Sequence, residues 1–217
     1  MEVELLTYTQ NADLICASAG ESCYSHLSSA ELIKNKSSAN ILGKIIDMGH
    51  HSVIEHASFT FSIRNVSRSL THQLVRHRIA SFSQQSQRYV SMNIPSYVVP
   101  KTISANSKLK KVYDEMMTKI WQSYSILKDE VPIEDARYIL PNGCTTNITV
   151  TMNARELLHF FSLRCCNRAQ WEIRDMADQM LVLCKKASPI IFKNAGPPCV
   201  RGICPEGKLS CGHPKKL

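Results

Sequence analysis

Residues 56–64, HASFTFSIR, alternate without interruption: Ala57, Phe59, Phe61 and Ile63 face one way, and Ser58, Thr60, Ser62 and Arg64 the other. That period of two is the signature of a half-buried strand, so the chain must build a sheet with one face against a core. Asn147 to Met152 alternates in the same manner and offers a second strand. Most of the remaining apolar residues recur at helical spacing. Residues 28–48 carry Ser caps and Leu32, Ile41, Leu42, Ile45 and Ile46, with Gly49 as a stop. Val66, Leu70 and Leu74 recur every four residues, which predicts a helix delivering the chain to Arg76. Residues 107–130 place Leu109, Val112, Met116, Ile120 and Leu127 near one helical face. Pro132 suits the first position of a short helix, Asn153 and Glu156 suit a helix cap ahead of LLHFF, and a longer helix is expected from about Ala169 to Ala187. Helices should outnumber strands. The expected fold is α+β: mixed helices with a small, mainly antiparallel sheet, in a single domain over residues 1–195. After Ala195 the composition turns to Gly, Pro, Cys and Lys, so residues 196–217 read as a tail.

The formal charge of +8 matters for where it falls. From His56 to Tyr113 there is no Asp or Glu, yet there are nine cations: Arg64, Arg68, Arg76, Arg78, Arg88, Lys101, Lys108, Lys110 and Lys111. An uncompensated basic stretch focuses positive potential and attracts phosphates or carboxylates. A solvated basic face is the plain alternative. As a binding surface the stretch suits two kinds of partner, a nucleic-acid polymer, which would make the chain a basic nucleic-acid-binding module, or several small anions bound side by side. No apolar run is long enough to cross a bilayer, and the N-terminal MEVELLTYTQ carries acids where an export signal would carry Lys or Arg. The chain is expected to be cytoplasmic, with its nine cysteines as reduced thiols. Cys199, Cys204, Cys211 and His213 raise the idea of a zinc-dependent interaction module. Their spacings lack the paired Cys-x-x-Cys arrangement of strong zinc sites, so no metal is expected. Pro198–Cys199 lies in GPPCVRG, a poor setting for a catalytic thiol.

The residues that speak most directly to chemistry are RHRIASFSQQSQRY, Arg76 to Tyr89. An extended backbone at Arg76–Arg78 would send both arginines one way and His77 the other. A guanidinium can grip phosphate oxygens through two parallel bonds and keeps its charge at any working pH. Ser81, Ser83, Gln84, Gln85, Ser86 and Gln87 follow, neutral donors and acceptors of the kind that read the edge of a neutral base. Phosphate clamps beside base-edge readers suit a nucleotide; a polar surface loop would have the same composition.

Arg-His-Arg, seven residues and then Ser resembles the signature of the flavin-dependent thymidylate synthases. The flanking blocks agree in order: GHHSVIEHASFTF (Gly49–Phe61), SRSLTHQLVRHR, ARYILP (Ala136–Pro141), NAREL (Asn153–Leu157) and FFSLRCCNRAQWEI (Phe160–Ile173). The resemblance implies a homotetramer in which each active site draws on more than one chain, with FAD at the subunit interfaces. It implies that Ser52, Arg76, His77, Arg78 and Gln84 hold FAD, with Asn153, Arg155 and His159 reaching it from a neighbouring subunit. For dUMP the matching positions are Gln73, Arg76, Gln84, Gln85, Ser86, Gln87, Arg88, Arg137 and Arg164. Arg164 takes the catalytic role, stabilising the pyrimidine as ring nitrogen 3 loses its proton. A fixed guanidinium beside developing negative charge lowers the barrier, so carbon 5 becomes nucleophilic without a protein thiolate. His50 and Glu55 match a stretch near the flavin and are expected to contact folate or cofactor. Gln84 stands where some members have Glu, and His159 where some have Asn. No Gly-x-Gly-x-x-Gly follows a strand, so a flavin is not expected in a Rossmann crevice. The reaction implied consumes methylenetetrahydrofolate and NADPH and methylates dUMP.

Overall fold

The computed structural model describes residues 1–35 and 39–215. In chain order it builds β1 (Glu2–Tyr8), α1 (Ala12–Ser22), α2 (Ser29–Asn35), α3 (Ala39–Asp47), β2 (Ser58–Ser67), α4 (Arg68–Leu74) and β3 (Ala80–Gln84). These are followed by α5 (Lys101–Ser104), α6 (Ser107–Glu130), α7 (Ile133–Ala136), β4 (Thr145–Asn153), α8 (Ala154–Arg164) and α9 (Trp171–Ala187). The strands form one antiparallel sheet in the order β1-β2-β4-β3. The expected α+β architecture is therefore present, and the sheet is not a doubly wound parallel one. The helix predicted over 28–48 corresponds to α2 and α3, and its residues 36–38 lie outside the described residues. Among the described residues no helix is long and apolar enough to cross a membrane.

The chain divides into two compact units, each assembled from separate stretches of sequence. The first comprises Met1–Glu2, Ile63–Val75 and Ser83–Ile148. Its main helix, α6, is capped by Asn106, whose side chain accepts from the Leu109 N–H, and it buries Met117, Trp121 and Tyr124. Met117 and Trp121 pack with Cys144, and the Trp121 indole N–H donates to the Met92 carbonyl at 3.0 Å. The apolar stripe read from the sequence packs only in part: Ile120 lies against this cluster, and the rest of the stripe is exposed. Leu109, Val112 and Met116 are 51, 58 and 52% exposed, because aromatic bulk rather than aliphatic periodicity selects the face that packs. A second departure lies just before the signature. Val66 belongs to the end of β2 rather than to a helix, and Ser67 caps α4 by accepting from the Leu70 N–H at 3.0 Å. Val66, Leu70 and Leu74 are all buried, so their spacing spans a strand-to-helix junction. Pro132 sits one place earlier than expected, in the capping position before α7, where its lack of an N–H costs nothing.

The second unit comprises Val3–Ser62, Arg76–Phe82 and Thr149–Leu217. Phe59, Phe61, Phe160, Phe161 and Phe192 are fully buried in it, and Phe59 and Phe192 meet edge to face at 5.3 Å between ring centres. The alternation in residues 56–64 is realised as read: Ala57, Phe59, Phe61 and Ile63 have no exposed surface. Gly49 follows α3 with φ of +82°, a left-handed conformation that glycine adopts without strain and that turns the chain after the helix. Asn153 caps α8 by accepting from the Glu156 N–H at 2.9 Å. The stretch read as a tail is laid against this unit. The Asn167 amide donates to the His213 carbonyl at 2.8 Å, and Lys215 pairs with Asp178 at 2.7 Å.

Candidate active site

In the second unit the turn after α4 separates the signature's three leading residues by exposure, although the backbone there is not a strand. Arg76 and Arg78 are exposed, and His77 between them is 5% exposed. The His77 ring packs edge to face on Phe160 at 4.9 Å between ring centres and lies 5.8 Å from His159. Its Nδ1 is 2.9 Å from Oε1 of Glu156, a carboxylate that is itself buried, and its Nε2 is 3.1 Å from Nε of Arg164. An arginine Nε–H can only donate. His77 Nε2 therefore carries the lone pair, and the ring proton sits on Nδ1 and donates to Glu156. Burial is the main cause that lowers the His77 pKa below its usual value; Glu156 opposes it, and Arg164 adds to it. The imidazole is thus held neutral. Burial, and then the charge of Arg76, lower the pKa of Arg164, which remains far above any working pH.

Beside this cluster lies a cavity of about 880 Å³, within the size range of small-molecule and cofactor sites. Asn153, Arg155 and His159 line it, as does Glu55, so four residues singled out in the sequence share one cavity. Arg155 is paired with Glu55 at 2.5 Å. Apolar wall comes from Ile46, Ile79, Leu158 and Ile191, and a further guanidinium from Arg201. Apolar walls for a ring system and guanidinium groups for phosphates are a donor set that fits a flavin dinucleotide. His51 lines the cavity, with its ring on the Ile46 carbonyl at 3.3 Å, whereas its neighbours His50 and Ser52 are exposed and outside the lining. Arg76, His77 and Arg78 lie outside the lining too, although Ile79 is part of it.

The later half of the signature belongs to the first unit. The polar stretch is not simply a surface loop: it begins as an edge strand, β3, ending at Gln84. The Gln84 amide donates to Thr71 Oγ1 at 3.1 Å, Gln87 donates to Cys144 Sγ at 3.4 Å, and Gln73 turns back onto the Ser69 carbonyl at 3.3 Å. Ser86 Oγ accepts from the Arg88 N–H at 3.1 Å, which closes the turn carrying that arginine. Arg88 pairs with Glu134, and the Arg137 Nε–H donates to the Glu134 carbonyl at 3.1 Å. Arg68, which sequence reasoning counted only as part of the basic stretch, reaches the Gln85 carbonyl at 3.5 Å, while its buried Nε has no partner among the described residues. Burial lowers the Arg68 pKa, and Arg137 contributes in the same direction. Arg68, Arg88 and Arg137 thus form a cationic group with Glu134 as its near acid, an arrangement that can take up an anion.

Two residues central to these clusters, Glu156 and Glu134, were not assigned a chemical role from the sequence. Four buried thiols are held in the protonated form: burial pushes Cys16 up to about 12 and raises Cys144, Cys165 and Cys184. Cys166, Cys199, Cys204, Cys211 and His213 share a separate cavity of about 430 Å³. Among the described residues no group of three or more His, Cys, Asp or Glu is placed to hold a metal ion.

Comparison with known proteins agrees with this geometry. The family model described as thymidylate synthase complementing protein matches residues 4–190. A flavin-dependent thymidylate synthase from Geobacter sulfurreducens is 50% identical, with 98% of this chain and 94% of the relative covered. One from Clostridium tetani is 45% identical, with 100% and 95% covered. Among solved structures, a UMP/dUMP methylase from Streptomyces cacaoi, bound with 5-Br dUMP, superposes with a TM-score of 0.79 at 24% identity. That superposition covers 88% of this chain and 93% of the other, and it establishes the shared fold. The chain belongs to the thymidylate synthase complementing protein family, the family of the flavin-dependent thymidylate synthases.

Proposed function

We propose that this chain is a flavin-dependent thymidylate synthase that methylates dUMP to dTMP, with methylenetetrahydrofolate as carbon donor and NADPH as reductant. The observation that carries the reading is the family match over residues 4–190, which contains the whole Arg76–Arg88 signature. FAD, once reduced, supplies the hydride that completes the methyl group. Asn153, Arg155 and His159 would hold the flavin dinucleotide from one chain, and Ser52, Arg76, His77, Arg78 and Gln84 from another. His50 and Glu55 are assigned to folate or cofactor contact. Gln73, Arg76, Gln84, Gln85, Ser86, Gln87, Arg88, Arg137 and Arg164 would bind dUMP, Arg88 at its phosphate. Arg164 stabilises negative charge on the pyrimidine as it develops, which makes carbon 5 the nucleophile without a protein thiolate. Sites shared between chains require an oligomer, and we take the assembly to be a homotetramer. The exposed stripe of Leu109, Val112 and Met116 on α6 supports assembly, since apolar surface of this kind is ordinarily covered. The enzyme works in the cytoplasm, where folate and NADPH are at hand. Purified protein should be yellow, and should form dTMP when given dUMP, methylenetetrahydrofolate and NADPH. A colourless protein that binds nucleic-acid polymers with a steep salt dependence would replace this reading with a nucleic-acid-binding one.

A further inference from the structure

We infer that Glu156 is a positioning residue for the reaction: by holding His77 in its Nδ1-protonated tautomer, it makes His77 Nε2 the acceptor that fixes the Arg164 guanidinium. The inference rests on the proposed role of Arg164 and adds a residue to it.

The chain of bonds has a single direction. Arg164 donates from Nε to His77 Nε2 at 3.1 Å, and His77 donates from Nδ1 to Glu156 Oε1 at 2.9 Å. Neither link survives in the other tautomer, which would aim an N–H at the Arg164 N–H and a lone pair at the carboxylate. An imidazolium is no better, since it would face a guanidinium without an acceptor. Only the neutral Nδ1–H ring serves, and among the described residues the carboxylate that enforces it belongs to Glu156.

Glu156 also lines the cavity, but its carboxylate makes no second hydrogen bond among the described residues. The residue helps to start α8, but the cap there runs from the Glu156 backbone N–H to Asn153, not through the side chain. Glu156 is 6% exposed, and among the described residues the one hydrogen-bond partner of its carboxylate is His77. A buried carboxylate is costly unless hydrogen-bonded, so its presence here calls for a partner that needs it. The groups facing His77 are Glu156, His159 and Phe160 of α8 and Arg164 at its end. Glu156 is the acid among these groups. The depressed His77 pKa agrees with a ring kept neutral.

The consequence for chemistry lies at the other end of Arg164. Its Nε is anchored, and no Nη hydrogen bond to a described residue competes for the outer fork. A guanidinium anchored through Nε presents two N–H groups in a fixed plane to a pyrimidine edge, as electrostatic stabilisation of a developing anion requires. Without the anchor the same side chain keeps its charge but loses its aim.

The test uses the full chain loaded with FAD and selectively ¹⁵N-labelled at histidine. In the unaltered enzyme, the His77 ring shifts should report a neutral imidazole protonated on Nδ1. An Nε2-protonated ring or an imidazolium at pH 7 overturns the inference without any variant. Glu156→Gln keeps an acceptor for Nδ1–H and should retain the tautomer, with turnover down roughly two- to tenfold for loss of a charged partner. Glu156→Leu should lose the tautomer and lower turnover at saturating dUMP by on the order of 100-fold, with FAD content unchanged. Arg164→Ala, run beside them, separates the two claims. If Arg164→Ala turns over at the parent rate, the role assigned to Arg164 fails. If it is slow while Glu156→Leu keeps both tautomer and rate, Glu156 is structural and the positioning role fails.

Discussion

The two halves of one basic segment are handled in opposite ways. In the second unit, Arg76–Phe82 turns a histidine inward, and His77, Glu156 and Arg164 form a chain of hydrogen bonds among largely buried groups. In the first unit, Ser83–Arg88 leaves its arginine exposed, paired with Glu134 at the surface. Burial makes the difference consequential. Groups taken out of water must be paired and keep one geometry, whereas an exposed pair is screened by solvent and is worth about 0–1 kcal/mol. The lesson is that like charges in one motif can divide the labour: a fixed guanidinium suits a transient charge, and a loosely held one suits a phosphate that must come and go.

The contrast is broken most sharply at Arg164. Replacing it by Ala should lower turnover at saturating dUMP by on the order of 100- to 1000-fold, while reduction of the flavin by NADPH survives. Stopped-flow absorbance separates the two half-reactions. A turnover close to the parent's would place the activating charge elsewhere. Arg88→Ala should behave differently. A phosphate contact made equally in ground and transition states affects affinity, so the dUMP concentration for half-maximal rate should rise roughly 10- to 100-fold with turnover little changed. A variant that loses turnover instead would erase the distinction between the two arginines.

Acid offers a smaller effect with a definite sign. His77 is held below its usual pKa of 6.5, mainly by burial. The unfolded chain therefore takes up a proton that the native chain refuses. The stability tied to this site is complete above about pH 6.5 and is lost as pH falls from there through the depressed native value. Urea midpoints between pH 8 and pH 5 should decline on the acid side, and a midpoint that rises as pH drops below 6.5 would contradict a buried neutral imidazole. The smallest effect is expected at Cys199, which lines the separate cavity with Cys166 and Cys204. Cys199→Ser should keep most dUMP turnover, because the reading calls for no thiolate nucleophile. A loss of several orders of magnitude with FAD retained would restore a thiol to the mechanism.

Legibility in the sequence followed how local each determinant was. β2, β4, α6 and α9 announce themselves through a period of two or of 3.6 over many residues, and α8 through a cap three residues long. β1 and β3 stand at the two edges of the sheet, half exposed, so their alternation is weak. α1 carries short residues, including Ala17, Ser18 and Gly20, which bury without a strong apolar pattern. The site divides in the same way. Asn153, Arg155 and His159 cluster because a cap and one helical turn align them, and Arg76, His77 and Arg78 alternate because they are adjacent. Glu156 passes for an ordinary helix-start acid until the fold brings it against a histidine 79 residues away. Glu134 is 46 residues from Arg88, and no periodicity connects them. The apolar stripe of α6 was read correctly as a stripe, but its exposure depends on the bulk of Trp121 and Tyr124 winning the core.

The central claim, that this chain passes a hydride from flavin to a carbon unit on dUMP, is tested most directly by one turnover. Enzyme purified with its flavin is reduced anaerobically, stripped of excess reductant and mixed with dUMP and methylenetetrahydrofolate. Flavin absorbance and dTMP are then followed together. The account predicts reoxidation of the flavin accompanied by about one dTMP per flavin, and neither event when dUMP is omitted. Reoxidation without dTMP, or protein that holds no flavin, would contradict it.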